Sequence, residues 1–219
     1  MNKILTKSLH DILSKDVLLF VLKITIASLI VTALFVWLFG GMLSGFITTY
    51  LSWIPWEWLQ TTGASVITFA VAYILFIVVI SVLTSLAIEP LLIKLAKKHY
   101  PKVAVVGASN MTTSITLSIK AAFIFLILFF FTFPLLFIPV FGQLWMLWLW
   151  SVLLKAPTAY DVSSLFISDK KVIKEKTKKS TLIAMIASLF NYVPVLNIFA
   201  PVFAQILFLH HILGKPNNM

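Results

Sequence analysis

Apolar residues dominate this chain in long runs, and the few polar positions mark where each run starts, turns or stops. The run at 17–39 is interrupted only by Lys23, and the run at 64–88 carries no charge until its end. At about 1.5 Å per helical residue, each can cross a hydrocarbon core of about 30 Å. Glu89-Pro90 ends the second span, because proline disfavours helix at the residue before it. Ahead of the first span, residues 1–16 place Ile4, Leu5, Leu9, Ile12 and Leu13 on one helical face, with Lys3, Lys7, His10, Asp11 and Lys15 around the other. That pattern predicts a helix lying in the membrane interface. After the second span, Leu91, Leu92, Leu95 and Ala96 oppose Lys94, Lys97 and Lys98, which predicts another interfacial helix within 89–102.

Two further apolar runs, at 119–154 and 180–214, begin and end near lysines: Lys120 and Lys155 for one, Lys179 and Lys215 for the other. If lysines stay on the cytoplasmic side, a run bounded by them at both ends must turn round in or across the bilayer. Proline supplies the break, and Gly142 and Asn197 are the residue types that tolerate a left-handed turn. Two proline-containing hairpins follow. Their arms of about 12 to 16 residues make them partly penetrating or just long enough to span. Ile138-Pro139-Val140-Phe141-Gly142 also matches Val193-Pro194-Val195-Leu196-Asn197, a candidate internal repeat of the kind found in transporters. Residues 40–63 hold no lysine but carry Tyr50, Trp53, Trp56 and Trp58, and are expected as an external loop at the interface. Residues 155–179 are expected as a cytoplasmic loop.

The expected fold is therefore all-α and integral to the membrane, a single domain with both termini cytoplasmic. Composition agrees: 61% of the 219 residues are hydrophobic and 11% charged, too little polar surface to cover a soluble globule. The net charge of +10 comes from 17 lysines with no arginine. Lysine is a hydrated point charge without arginine's bidentate fork, so an anion site here must draw on lysine, backbone N–H, hydroxyl, amide or histidine groups. The positive charge suits topology and attraction to anionic lipids, and no nucleic-acid-reading module is present. Absence of cysteine removes disulfides, thiolate metal sites and a catalytic thiol.

No paired carboxylates, phosphate loop or nucleophile motif points to catalysis, so the chain is not expected to be an enzyme or to hold a cofactor. Asn191, Asn197 and Gln205 lie inside the second hairpin, where they either line a path or satisfy carbonyls freed by Pro194 and Pro201. His210-His211 has no acidic partner nearby in sequence, so no metal site is expected and the pair is read as lying at headgroup level. Backbone broken within lipid must be covered by protein, which predicts a homo-oligomer.

Glu89-Pro90-Leu91, Phe137-Ile138-Pro139-Val140-Phe141-Gly142, Ala156-Pro157-Thr158-Ala159-Tyr160-Asp161 and Val193-Pro194-Val195-Leu196-Asn197-Ile198-Phe199-Ala200-Pro201 resemble the CysZ family of bacterial inner-membrane sulfate permeases, grouped with the etoposide-induced endoplasmic-reticulum membrane proteins. The resemblance implies two spans plus two hairpins, oligomers, and uptake of sulfate or sulfite across the inner membrane for cysteine synthesis. It also implies an anion-binding role for Ser8, Leu9 and His10, which stand where that family has Gly-Leu-Arg. Arginine brings permanent charge and paired donors, and serine with histidine supplies less of both at neutral pH. The alternative is a non-transporting membrane scaffold that assists protein or lipid organisation.

Overall fold

A computed structural model describes residues 2–53 and 55–214, all helix and connections with no strand among them; Lys215, expected to close the second hairpin, lies outside the described residues. The chain divides into two compact units, Val21–Thr84 and the remainder.

The first unit holds most of α2 (Lys15–Tyr50) and α3 (Glu57–Ala87), of 36 and 31 residues. At 1.5 Å per residue these are about 54 and 46 Å long, well beyond a hydrocarbon core. The expected external loop at 40–63 is thus mostly helix. Gly40, Gly41 and Gly45 each cost a helix only about 1 kcal/mol relative to alanine, and proline does not occur until Pro55. Thr48 and Thr49 return their hydroxyls to the carbonyls of Ser44 and Gly45 at 2.9 Å, which helical threonines do readily.

The second unit is organised around α9 (Ala200–Leu213), buried from Val202 to Ile212 without interruption. A helix apolar on all sides needs neighbours on all sides. They are α1 (Asn2–Ile12), α4 (Glu89–His99), α6 (Phe141–Phe166) and α8 (Thr181–Ser188). In α4 the buried residues are Leu91, Leu92, Leu95 and Ala96, the face expected from spacing, and Pro90 sits in the first turn, where its missing N–H costs nothing. The connection expected at 155–179 is instead helical: α6 continues through Pro157 to Phe166, and α7 (Lys170–Lys178) is capped by the Asp169 carboxylate accepting from the Lys171 amide at 2.7 Å.

The first hairpin pairs α5 (Met111–Thr132) with α6. Its outgoing arm starts ahead of the expected 119–154 run, at Met111, where Asn110 caps the helix with its side-chain oxygen accepting from the Thr113 amide at 3.1 Å. Including the 3-10 turn, Met111–Leu136 becomes a third segment long and apolar enough to cross a membrane, beside α2 and α3. The arms are zipped by Trp145 Nε1 donating to Thr132 Oγ1 at 2.8 Å and by Phe125 against Trp150, with ring centroids 5.6 Å apart. The second hairpin keeps short arms: α8 and α9 are 8 and 14 residues, with Phe190 stacked on Phe203 across the tip.

Both tips close the same way at the matched positions: the Gly142 amide donates to the Ile138 carbonyl at 2.8 Å, and the Asn197 amide to the Val193 carbonyl at 2.9 Å. Neither Gly142 nor Asn197 is left-handed, contrary to expectation. Val140 takes the positive φ, 64° with ψ −52°, in a γ-turn closed by the Phe141 amide on the Pro139 carbonyl at 2.7 Å. Gly142 is required for space, since a Cβ there would lie 2.3 Å from the Leu136 carbonyl oxygen.

Candidate functional site

The buried face of α1 only partly matches the apolar face read from its sequence, sharing Ile12 with it. Ser8, Asp11 and Ile12 are the buried residues, at helical spacing along the line that meets α9, whereas Leu9 and Leu13 are exposed. The apolar side chains are divided: Leu9, Ile12 and Leu13 line a cleft of about 190 Å³ shared with Leu18 and with Phe190, Leu196 and Phe199 of the second hairpin tip.

Asp11 is the reason for the rotation. Its carboxylate is fully buried and receives His210 Nε2 at 2.8 Å on Oδ2 and His99 Nε2 at 2.8 Å from the same oxygen and 2.9 Å from Oδ1. Lys98 Nζ stands 3.4 Å from Oδ1. An ionised carboxylate only accepts, so both imidazoles present an Nε2–H to it. Tyr100 Oη lies 3.0 Å from His210 Nδ1, fixing the ring from its other side. Burial pushes the Asp11 carboxyl up, but the hydrogen bonds and charges of His99 and His210 outweigh it and hold the group below the ordinary aspartate value. Burial, then the Asp11 charge, pushes the Tyr100 phenol up. Three helices distant in sequence, α1, α4 and α9, therefore meet at one carboxylate.

A second carboxylate, Asp161, is buried in the part of α6 beyond Pro157. Ser114 Oγ donates to it at 2.6 Å, Ser85 Oγ at 3.2 Å and Gln205 Nε2 at 3.5 Å. None of these donors is charged. The Gln205 amide oxygen is buried with no hydrogen-bond partner among the described residues. The site is an oxygen-rich cage joining Ser85, near the end of α3, with α5, α6 and α9.

The residues implicated by resemblance face different surroundings. Ser8 is buried, its hydroxyl donating to the Ile4 carbonyl at 2.9 Å, Leu9 faces the apolar cleft, and His10 projects outward with 77% of its side chain exposed. All three sit inside a continuous helix, so their amides are used along it. His10 is left as the outward donor of the three. Of the hairpin candidates, Gln205 reaches Asp161, Asn197 is buried at the tip it closes, and Asn191 is half-buried. His210 and His211 are buried within the protein, and His210 finds its acidic partner, Asp11, far away in sequence. Asp11 and Asp161 were missed because their partners are far away in sequence. The available signal was position: Asp11 follows Ile4 and Ser8 at i+7 and i+3, and Asp161 sits among Thr158, Val162 and Leu165 on the stripe that α6 buries.

The protein family described as Sulfate transporter CysZ/Etoposide-induced protein 2.4 matches residues 4–201. No curated protein and no solved structure matches the chain.

Proposed function

We propose, since the chain belongs to the family of sulfate transporter CysZ and etoposide-induced protein 2.4, that it is a permease or channel for a small oxyanion, sulfate or sulfite, serving cysteine synthesis in the bacterial cytoplasmic membrane. The observation that carries this reading is the family match from α1 to the start of α9. Local electrostatics support it. Lys3, Lys7 and His10 on α1 and Lys97 and Lys98 on α4 are exposed on two helices that both dock on α9, which gives this unit a cationic surface that gathers anions. Lys7 Nζ stands 5.3 Å above the Tyr100 ring, tying the two helices' charges together. In this reading His10, beside Ser8 and Leu9, belongs to the anion entrance, the termini are cytoplasmic, and further copies of the chain cover the exposed hairpin tips at Ile138, Val140 and Val195.

Labelled sulfate flux into liposomes containing the purified protein tests the proposal, with sulfite, chloride and phosphate as competitors. Saturable uptake inhibited by sulfite is expected. Flux no greater than that of empty liposomes would overturn it and return the chain to the membrane-scaffold reading.

A further inference from the structure

We propose that Asp11, His99 and His210 form a binding site for one zinc-type divalent metal ion, which staples α1 and α4 to α9. The proposal stands on the geometry of the cluster and does not depend on transport. One ligand atom from each residue lies within 4.8 Å of the others, and both imidazole Nε2 atoms converge on the same carboxylate oxygen at 2.8 Å. Zinc bonds of about 2.0–2.1 Å in a tetrahedral site separate neighbouring ligand atoms by roughly 3.3 Å, so the two N···O edges of 2.8 Å open by about half an ångström while the edge between the two nitrogens, within 4.8 Å, settles to the same value. Two histidines and a carboxylate are a donor set suited to zinc, and the fourth position falls to water on the side of His99, whose side chain is 18% exposed while those of Asp11 and His210 are closed off.

The surrounding groups match what a metal-bound histidine needs. Without metal, the His210 proton sits on Nε2 and Tyr100 donates to Nδ1. With metal on Nε2, that proton moves to Nδ1 and the Tyr100 oxygen accepts it, since a phenol can serve either role. His99 and His210 meet edge to face, ring centroids 5.0 Å apart, so their nitrogens converge without the rings stacking. The opposing influence is positive charge. Lys98 stands 3.4 Å from Oδ1, but its side chain is half in solvent and can withdraw when an ion enters. Lys7 lies over Tyr100, one residue further out.

The full chain in detergent, stripped with chelator, is titrated with Zn²⁺ by calorimetry, with bound metal counted by mass spectrometry and Co²⁺ used as a visible-absorption probe. The parent should bind one equivalent, show a tetrahedral Co²⁺ spectrum that Zn²⁺ displaces, and unfold at higher temperature with metal. His99→Gln, at the partly exposed corner, should keep the fold, bind at least tenfold more weakly and lose the Co²⁺ spectrum. Asp16→Asn, in the surface pair with Lys94, should bind as the parent does. Lys98→Gln should bind several-fold more tightly, because it removes the competing cation, and an ion-pair network without metal would give no such change. Absence of stoichiometric binding by the parent, or equal binding by His99→Gln, would overturn the proposal and leave the cluster as hydrogen bonds alone.

Discussion

His210 Nε2 lies 2.8 Å from Asp11 Oδ2, and 199 residues separate the two along the chain. Removing one partner of a buried charged contact strands the other, at a cost of about 3–5 kcal/mol. Asp11→Ala should lose about that much, measured by denaturant unfolding in detergent. Asp16 makes a 2.8 Å ion pair with Lys94 at the surface, and Asp16→Ala should cost no more than about 1 kcal/mol. Equal losses would mean that the Asp11 cluster is not a fastening.

Gly142→Ala should open the first hairpin tip, since its new Cβ would lie 2.3 Å from the Leu136 carbonyl oxygen. Gly41 in α2 has nothing within 4 Å of the same position, so Gly41→Ala should stabilise that helix by up to about 1 kcal/mol. Opposite signs in a thermal-unfolding comparison are the expected result.

Val140→Gly should stabilise. A β-branched residue at φ 64° carries about 1–3 kcal/mol of strain, and its side chain, 74% exposed, packs little in return. Glycine gives back about 0.5–1 kcal/mol through its looser unfolded state, leaving a net gain of about 1 kcal/mol. A drop in unfolding midpoint would show that the valine side chain is held by something more than this turn.

In the proposed entrance, His10→Arg should raise sulfate flux at neutral pH by about 3–10-fold, the effect of one added charge-assisted donor after partial discount for solvent. Ser8→Ala should leave flux nearly unchanged, because that hydroxyl is spent on the Ile4 carbonyl. A Ser8→Ala effect as large as that of His10→Ala would place the anion elsewhere on α1.

Topology is testable in a chain without native cysteine. Single cysteines at Thr49, Lys98 and Ser168, all exposed, should divide under an impermeant thiol reagent: Thr49 labelled from outside, Lys98 and Ser168 only from the cytoplasmic side. External labelling of Ser168 would reverse the assignment drawn from lysine.

The sequence made legible whatever depends on neighbours a few residues away. The α4 face, the Glu89-Pro90 break and the two proline turns are all local effects of spacing or of a missing N–H, and each is found in the structure. Misreadings came where local cues were ambiguous. The lysine-free stretch after Gly40 is read as an external loop, yet α2 runs on to Tyr50 and the connection narrows to the residues around Trp53 and Trp56, because nothing forbids a helix before Pro55. Where α5 begins within its Ser/Thr-rich approach is settled by Asn110, which caps it. Asp11 and Asp161 were out of reach for a different reason, since a carboxylate's burial is decided by partners that only the fold brings close.

The fastening at Asp11 also sets an order of assembly. α1 is made before α4 and α9, so its buried carboxylate lacks His99 for 88 residues and His210 for 199. At about 5–20 residues per second, roughly 10–40 s of synthesis pass before the last partner exists. Through that interval Asp11 lacks the helix it is buried against. A helix made before its partners is thus completed only after them.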